Sequence, residues 1–210
     1  MHRRHFVAGA LATAAAAGVA QAQTSFALVT LGDSLTAGLG LAKAQAYPSV
    51  LEGLLQSRGY AVRVVNAGVS GDTVAAGLAR VEWSVPKTAN GVLVALGAND
   101  MLQGIEPART RADLDALLGK LKQRNQKIAI AGIQAGLNWG PDYERDFNRI
   151  FPELAKKYSA PLYPFLLKDV ALVTALNQPD MIHPNAAGAR RIAENLAPFV
   201  AKAFPLPKAA

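Results

Sequence analysis

A serine at the end of an apolar run and an aspartate-histidine pair near the C-terminus form the most reactive combination of residue types in this chain. The 210 residues hold three histidines and no cysteine. His2 and His5 lie in a basic, alanine-rich leader, which leaves His183 as the imidazole available to act as a base near neutral pH. In Asp180-Met181-Ile182-His183-Pro184 a carboxylate stands three residues before that ring, close enough on a tight loop to hold one ring nitrogen and leave the other for a hydroxyl. Ester hydrolysis at neutral pH needs a nucleophile, a base for its proton, a group that orients the base, and donors for the oxygen that turns negative. Ser34, in Gly32-Asp33-Ser34-Leu35, fits the nucleophile at the mouth of a helix, where free amides favour negative charge. The backbone amide of Ser34, that of Gly71 in Ser70-Gly71-Asp72, and the side-chain amide of Asn99 in Gly97-Ala98-Asn99-Asp100 fit the donors. Plainer roles compete for each: a turn for Gly71, a cap for Asn99, a structural place for His183.

Several other chemistries find no matching pattern. No Gly-x-Ser-x-Gly elbow and no Gly-x-x-x-x-Gly-Lys-Ser/Thr loop occurs, and Gly38-Leu39-Gly40 lacks the third glycine of a dinucleotide fingerprint. One mature histidine without cysteine supplies too few ligands for a usual transition-metal site, so neither metal nor cofactor is expected. The formal charge of +7 falls to +5 once Arg3 and Arg4 are removed. The basic residues are scattered, from Arg109 and Lys120 to Lys157, without interleaved aromatics, which points to a solvated surface and no nucleic-acid partner.

Residues with these roles need a frame that brings distant segments together. Residues 1–22 run from His2-Arg3-Arg4 through alanines to Ala20-Gln21-Ala22, the pattern of a signal peptide cleaved near Ala22. Its apolar stretch is short for a membrane span, which needs ~20 residues, so no stable membrane insertion is expected. Arg3-Arg4-His5-Phe6-Val7 resembles a twin-arginine signal, although two arginines also suit any secretory start. Either route predicts a periplasmic or secreted protein. Residues 23–210 then read as one α/β domain. Apolar runs at about Phe26 to Leu31, Ala61 to Asn66, Gly91 to Leu96, Lys127 to Ile133 and Pro161 to Tyr163 predict five strands covered on both faces. Helical spacing predicts helices over Tyr47 to Arg58, Thr73 to Val81, Pro107 through Leu121, Asp142 to Tyr158 and Asn185 to Ala203. The tail from Phe204 to Ala210 is expected to be loose. In a parallel sheet of this kind, ligands bind beyond the carboxyl ends of the strands, where Ser34, Gly71 and Asn99 fall.

Leu31 to Gly38, Ser70 to Thr73, Leu96 to Asp100 and the Asp-x-x-His-Pro segment, in this order, resemble the blocks of the SGNH, or GDSL-type, hydrolases. Ser34, Gly71, Asn99 and His183 match the serine, glycine, asparagine and histidine of that name. The similarity extends over the mature chain and is greatest to the bacterial thioesterase I, protease I, lysophospholipase and arylesterase branch. It implies a three-layer α/β/α sandwich with a flavodoxin-like, five-stranded parallel sheet. It also implies no metal, an acyl-serine intermediate, and a structural place for Asp33. The partner implied is a small ester or thioester with an acyl or aryl group, bound by a monomer. A carbohydrate O-acetyl esterase and a non-catalytic binding module on the same fold are the alternatives. Met181 departs from the family's usual glycine in Asp-Gly-x-His. The segment Gly136 to Tyr143 corresponds to a substrate-contacting loop, which makes Leu39, Leu137, Trp139 and Tyr143 candidates for the acyl or aryl group. Trp139 can equally anchor its loop to the core.

Overall fold

The computed structural model describes residues 25–209; the expected signal peptide and its expected cleavage point near Ala22 lie outside the described residues. Strands β1 (Phe26–Gly32), β2 (Val62–Gly68), β3 (Gly91–Ala95), β4 (Lys127–Ala131) and β5 (Leu162–Tyr163) form one parallel sheet in the order β2-β1-β3-β4-β5. Each strand falls within about two residues of its expected span. The central strands are buried along nearly their whole length, which accounts for the continuous apolar runs seen in the sequence. The chain builds outward from β1 to β2, then crosses to the other side for β3. The crevice opened by that reversal is the place for a ligand in a sheet of this order.

The helices are α1 (Ser34–Ala37), α2 (Tyr47–Ser57), α3 (Val74–Ser84), α4 (Ala98–Leu102), α5 (Pro107–Gln123), α6 (Pro141–Asn148), α7 (Ile150–Tyr158) and α8 (Ala186–Ala203). One layer pairs α2 with α8; in the other, α5 touches α3, α6 and α7. The α5 leucines Leu114, Leu117, Leu118 and Leu121 are all fully buried, as their spacing predicts. Each such side chain contributes about 1.5–3 kcal/mol by leaving water. This is the α/β/α sandwich expected from the sequence.

Two expectations fail for identifiable reasons. The single helix expected over Asp142 to Tyr158 is two, α6 and α7, joined at Arg149. Pro152 has no N–H for the Asn148 carbonyl four residues earlier, and its ring crowds that carbonyl. The Asn148 side chain instead turns back to Ala135, accepting from its N–H at 2.7 Å and donating to its carbonyl at 3.1 Å. The tail is also not loose. Phe204 is buried against Phe26, Ala61 N–H donates to Pro207, and Ala209 N–H donates to Gly59, both at 2.8 Å. Lys208 pairs antiparallel with Tyr60, its Nζ 3.8 Å from the ring centroid. The chain end thus packs beside the residues that lead into β2, a pairing that local composition does not reveal.

Candidate active site

Ser34 is the first residue of α1, immediately beyond β1, and it is 8% exposed. The turn that presents it is tightly specified. Asp33 caps the helix by accepting from Leu35 N–H at 2.9 Å, and Gly38 closes it in the left-handed conformation (φ 79°), donating to the Ser34 carbonyl at 3.0 Å. Asp33 is fully buried, and its Oδ2 has no hydrogen-bond partner among the described residues. Burial pushes its carboxyl up to about 6, against the opposing pull of the Leu35 amide and His183.

The loop before α8 brings the imidazole to the same point. His183 Nε2 lies 2.9 Å from Ser34 Oγ, and Nδ1 lies 2.7 Å from Asp180 Oδ2. Asp180 Oδ1 accepts from the backbone N–H groups of Ile182 and His183, both at 2.9 Å. The His183 backbone and side-chain bonds, then that of Ile182, hold the Asp180 carboxyl down at about 2, so it is ionised at neutral pH. An ionised carboxylate can only accept, which puts the ring proton on Nδ1 and leaves Nε2 to accept from the Ser34 hydroxyl. Gln178 N–H closes the loop onto the His183 carbonyl at 2.8 Å. Asn185 caps α8 through Ala187 and Gly188.

The other two candidates arrive from neighbouring strands. Gly71 follows β2 at φ 88°, with open space where a β-carbon would project. Backbone conformation, and not crowding, therefore calls for glycine here. Asn99 lies in α4, beyond β3, and one N–H of its amide donates to the Asp72 carbonyl at 2.8 Å. An amide nitrogen carries two N–H groups, so the second remains to meet a ligand. Among the described residues, no three His, Asp or Glu side chains are grouped as a metal site requires.

The model of the GDSL-like lipase/acylhydrolase family matches residues 30–191, which span all of these segments. The chain belongs to that family. It is 37% identical to the esterase TesA of Pseudomonas aeruginosa over 93% of this chain and 96% of that one. It is 39% identical to the thioesterase 1/protease 1/lysophospholipase L1 of Escherichia coli over 75% of each chain. The crystal structure of AlinE4, an SGNH-hydrolase family esterase, superposes with a TM-score of 0.73 at 43% identity, over 87% of this chain and 98% of that one.

This GDSL-like acylhydrolase has its own solutions around the site. Met181 holds the left-handed conformation (φ 57°) that suits the glycine more usual there, so the turn between Asp180 and His183 keeps its shape. Trp139 does not stand free. Its indole N–H donates to the Met101 carbonyl at 2.8 Å, and its ring lies over Gly104, where a β-carbon would come within 2.8 Å. The Tyr143 hydroxyl donates to the Ile105 carbonyl at 3.0 Å. Trp139, Tyr143, Phe147 and Phe151, four residues apart, contact one another in turn and brace the segment Gly97 to Ile105 that carries Asn99. Trp139 nevertheless remains 53% exposed, Leu137 66% and Leu39 46%.

Two contributors escape a reading of the sequence. Gln178 Nε2 donates to the Leu39 carbonyl at 2.7 Å and the Pro184 carbonyl at 3.0 Å, tying the histidine loop to the loop that follows Ser34. Nothing local marks it. Arg80 is buried in α3 and paired with Asp72. Its signal was present, since Val74, Gly77 and Val81 set the inward stripe of that helix and a charged residue falls within it.

Proposed function

We propose that this acylhydrolase is a serine esterase that cleaves carboxylic esters and thioesters through an acyl-serine intermediate. Ser34 Oγ attacks the acyl carbon as its proton passes to His183 Nε2, and Asp180 stabilises the imidazolium that forms. The carbonyl oxygen, now negative, takes N–H groups from Ser34, Gly71 and Asn99. Collapse expels the alkoxide or thiolate, which leaves with the proton returned by His183. Water then repeats the attack with His183 as base, releasing the acid and restoring Ser34. The observation that carries this reading is one imidazole within hydrogen-bond reach of both Ser34 Oγ and Asp180.

The exposed apolar side chains of Leu39 and Leu137 favour substrates with short to medium acyl chains or aryl groups, lysophospholipids included. This reading places residues 23–210 in one monomeric domain, released by cleavage near Ala22 into the periplasm or medium. No helix among the described residues is long and apolar enough to cross a membrane. The purified mature protein should release nitrophenol from its butyrate ester, react at Ser34 with a fluorophosphonate, and lose both properties in Ser34→Ala. A chain-length series run beside acyl-CoA and acetylated xylan identifies the acyl donor. Absence of labelling in a folded protein would overturn the assignment in favour of a binding module.

A further inference from the structure

We propose that Arg80 is a positioning residue for the oxyanion donors, its buried guanidinium setting the mutual placement of the loops that bear Ser34, Gly71 and Asn99. The inference rests on the esterase reading and concerns a residue that never meets the substrate. Arg80 is 5% exposed, yet each face of its fork is engaged. Nη2 donates to the carbonyl of Gly32, the last residue of β1 and two before Ser34, at 2.8 Å. Nε pairs with the carboxylate of Asp72, the residue after Gly71. Nη1 donates to Ser84 Oγ at 3.0 Å, one turn along α3. The Asp72 carbonyl in turn accepts the Asn99 amide at 2.8 Å. Val69 N–H also donates to the Gly32 carbonyl, at 3.0 Å, so the exits of β1 and β2 share one acceptor with the guanidinium. All three donor-bearing segments therefore connect through one rigid group.

Stability alone does not explain this residue. An ion pair taken out of water is often no better than well-packed apolar side chains of the same volume. The other buried residues of α3, Val74, Gly77 and Val81, carry no charge, so an apolar residue would suit the inward stripe on polarity alone. What the apolar residue cannot do is hold Gly32 and Asp72 at a fixed angle, and lysine, with one charged nitrogen on a flexible stem, does so poorly. Oxyanion donors act through being fixed in advance, since donors that must reorganise during the reaction lose much of their effect. Loosening their frame should therefore act on the transition state more than on the bound ester.

Mature wild-type protein, Arg80→Lys, Arg80→Met and the double variant Arg80→Met/Asp72→Asn test the proposal. The double variant removes both charges together, leaves no buried ion unpaired and keeps the Asp72 backbone carbonyl for Asn99, and far-ultraviolet circular dichroism checks that it is folded before its rates are read. Measured quantities are kcat and KM on nitrophenyl butyrate, the affinity for a tetrahedral boronic acid inhibitor, and Tm. Losing one donor outright costs about 100- to 1000-fold in rate, so misplacing donors should lower kcat by roughly 10- to 100-fold in the double variant. KM should stay within about threefold, and inhibitor affinity should fall in step with kcat. Arg80→Lys should lie between. A folded double variant with wild-type kcat, or one in which only Tm falls, would overturn the proposal. If the wild-type protein itself neither labels nor turns over, the esterase reading has failed instead.

Discussion

Replacing Gly188 with alanine separates helix propensity from site geometry, because the two predict opposite outcomes. Gly188 lies in the first turn of α8, and in an open helix position the change would gain about 1 kcal/mol. Here a β-carbon would sit 2.0 Å from the Leu176 carbonyl oxygen and 3.0 Å from the Pro184 β-carbon. Ordinary contact needs more than 3 Å, so α8 and the loop from Leu176 to Pro184 must part by roughly 1 Å. His183 rides on that loop, and a shift of that size along the line to Ser34 Oγ would open their 2.9 Å approach to about 4 Å, beyond hydrogen bonding. Misplacement of that size costs on the order of 100-fold. Initial rates on nitrophenyl butyrate, with far-ultraviolet circular dichroism and Tm, should show kcat/KM reduced by that factor in a protein of unchanged helix content. Gly53→Ala is the control, since Gly53 lies within α2 with nothing near its missing β-carbon. That variant should keep full activity and gain about 2–4 °C for each kcal/mol. A Gly188→Ala enzyme with rates within about threefold of wild type, or with the thermal gain of the control, would refute the reasoning.

Three further outcomes follow from the same geometry. The folded form holds the Asp33 proton more tightly than the unfolded chain does, so the wild-type protein loses stability as pH rises from about 4 through about 6. Asp33→Asn should therefore match wild type in Tm near pH 4 and exceed it by several degrees near pH 7.5, the upper limit being on the order of 3 kcal/mol. Equal Tm differences at both pH values would contradict the burial argument. Deleting residues 205–210 removes the backbone bonds to Ala61 and Gly59, the Lys208 bond to the Arg58 carbonyl and its contact with Tyr60, and should lower stability by about 2–3 kcal/mol in a urea titration. Activity at 25 °C should stay intact, because these bonds lie at the end of the sheet opposite Ser34. Trp139→Phe keeps a ring over Gly104 but loses the bond to Met101, so kcat should fall about fivefold at every chain length. A changed chain-length preference would instead place the indole against the acyl group.

Much of this molecule is legible without coordinates because its signals are local or periodic. Apolar runs marked five strands, leucine spacing marked the inner face of α5, and the position of His2 and His5 in a basic, alanine-rich leader singled out His183. Chain order then placed Ser34, Gly71 and Asn99 beyond successive strands. Pro152 carried the break between α6 and α7 in plain view, through the N–H it lacks. What residue order does not contain is which distant groups share one buried volume. The meeting of His183 with Ser34 across 149 positions depends on how α8 packs against α2. The pairing of the tail with Tyr60 depends on where the sheet ends, and the closure of the histidine loop on the reach of Gln178 to Leu39. Arg80 is the clearest case, since its type and its place on α3 are written in the sequence, while the three loops it joins become neighbours only when the sheet forms. Pattern specifies elements one at a time, whereas packing determines which polar groups must satisfy one another once water is excluded.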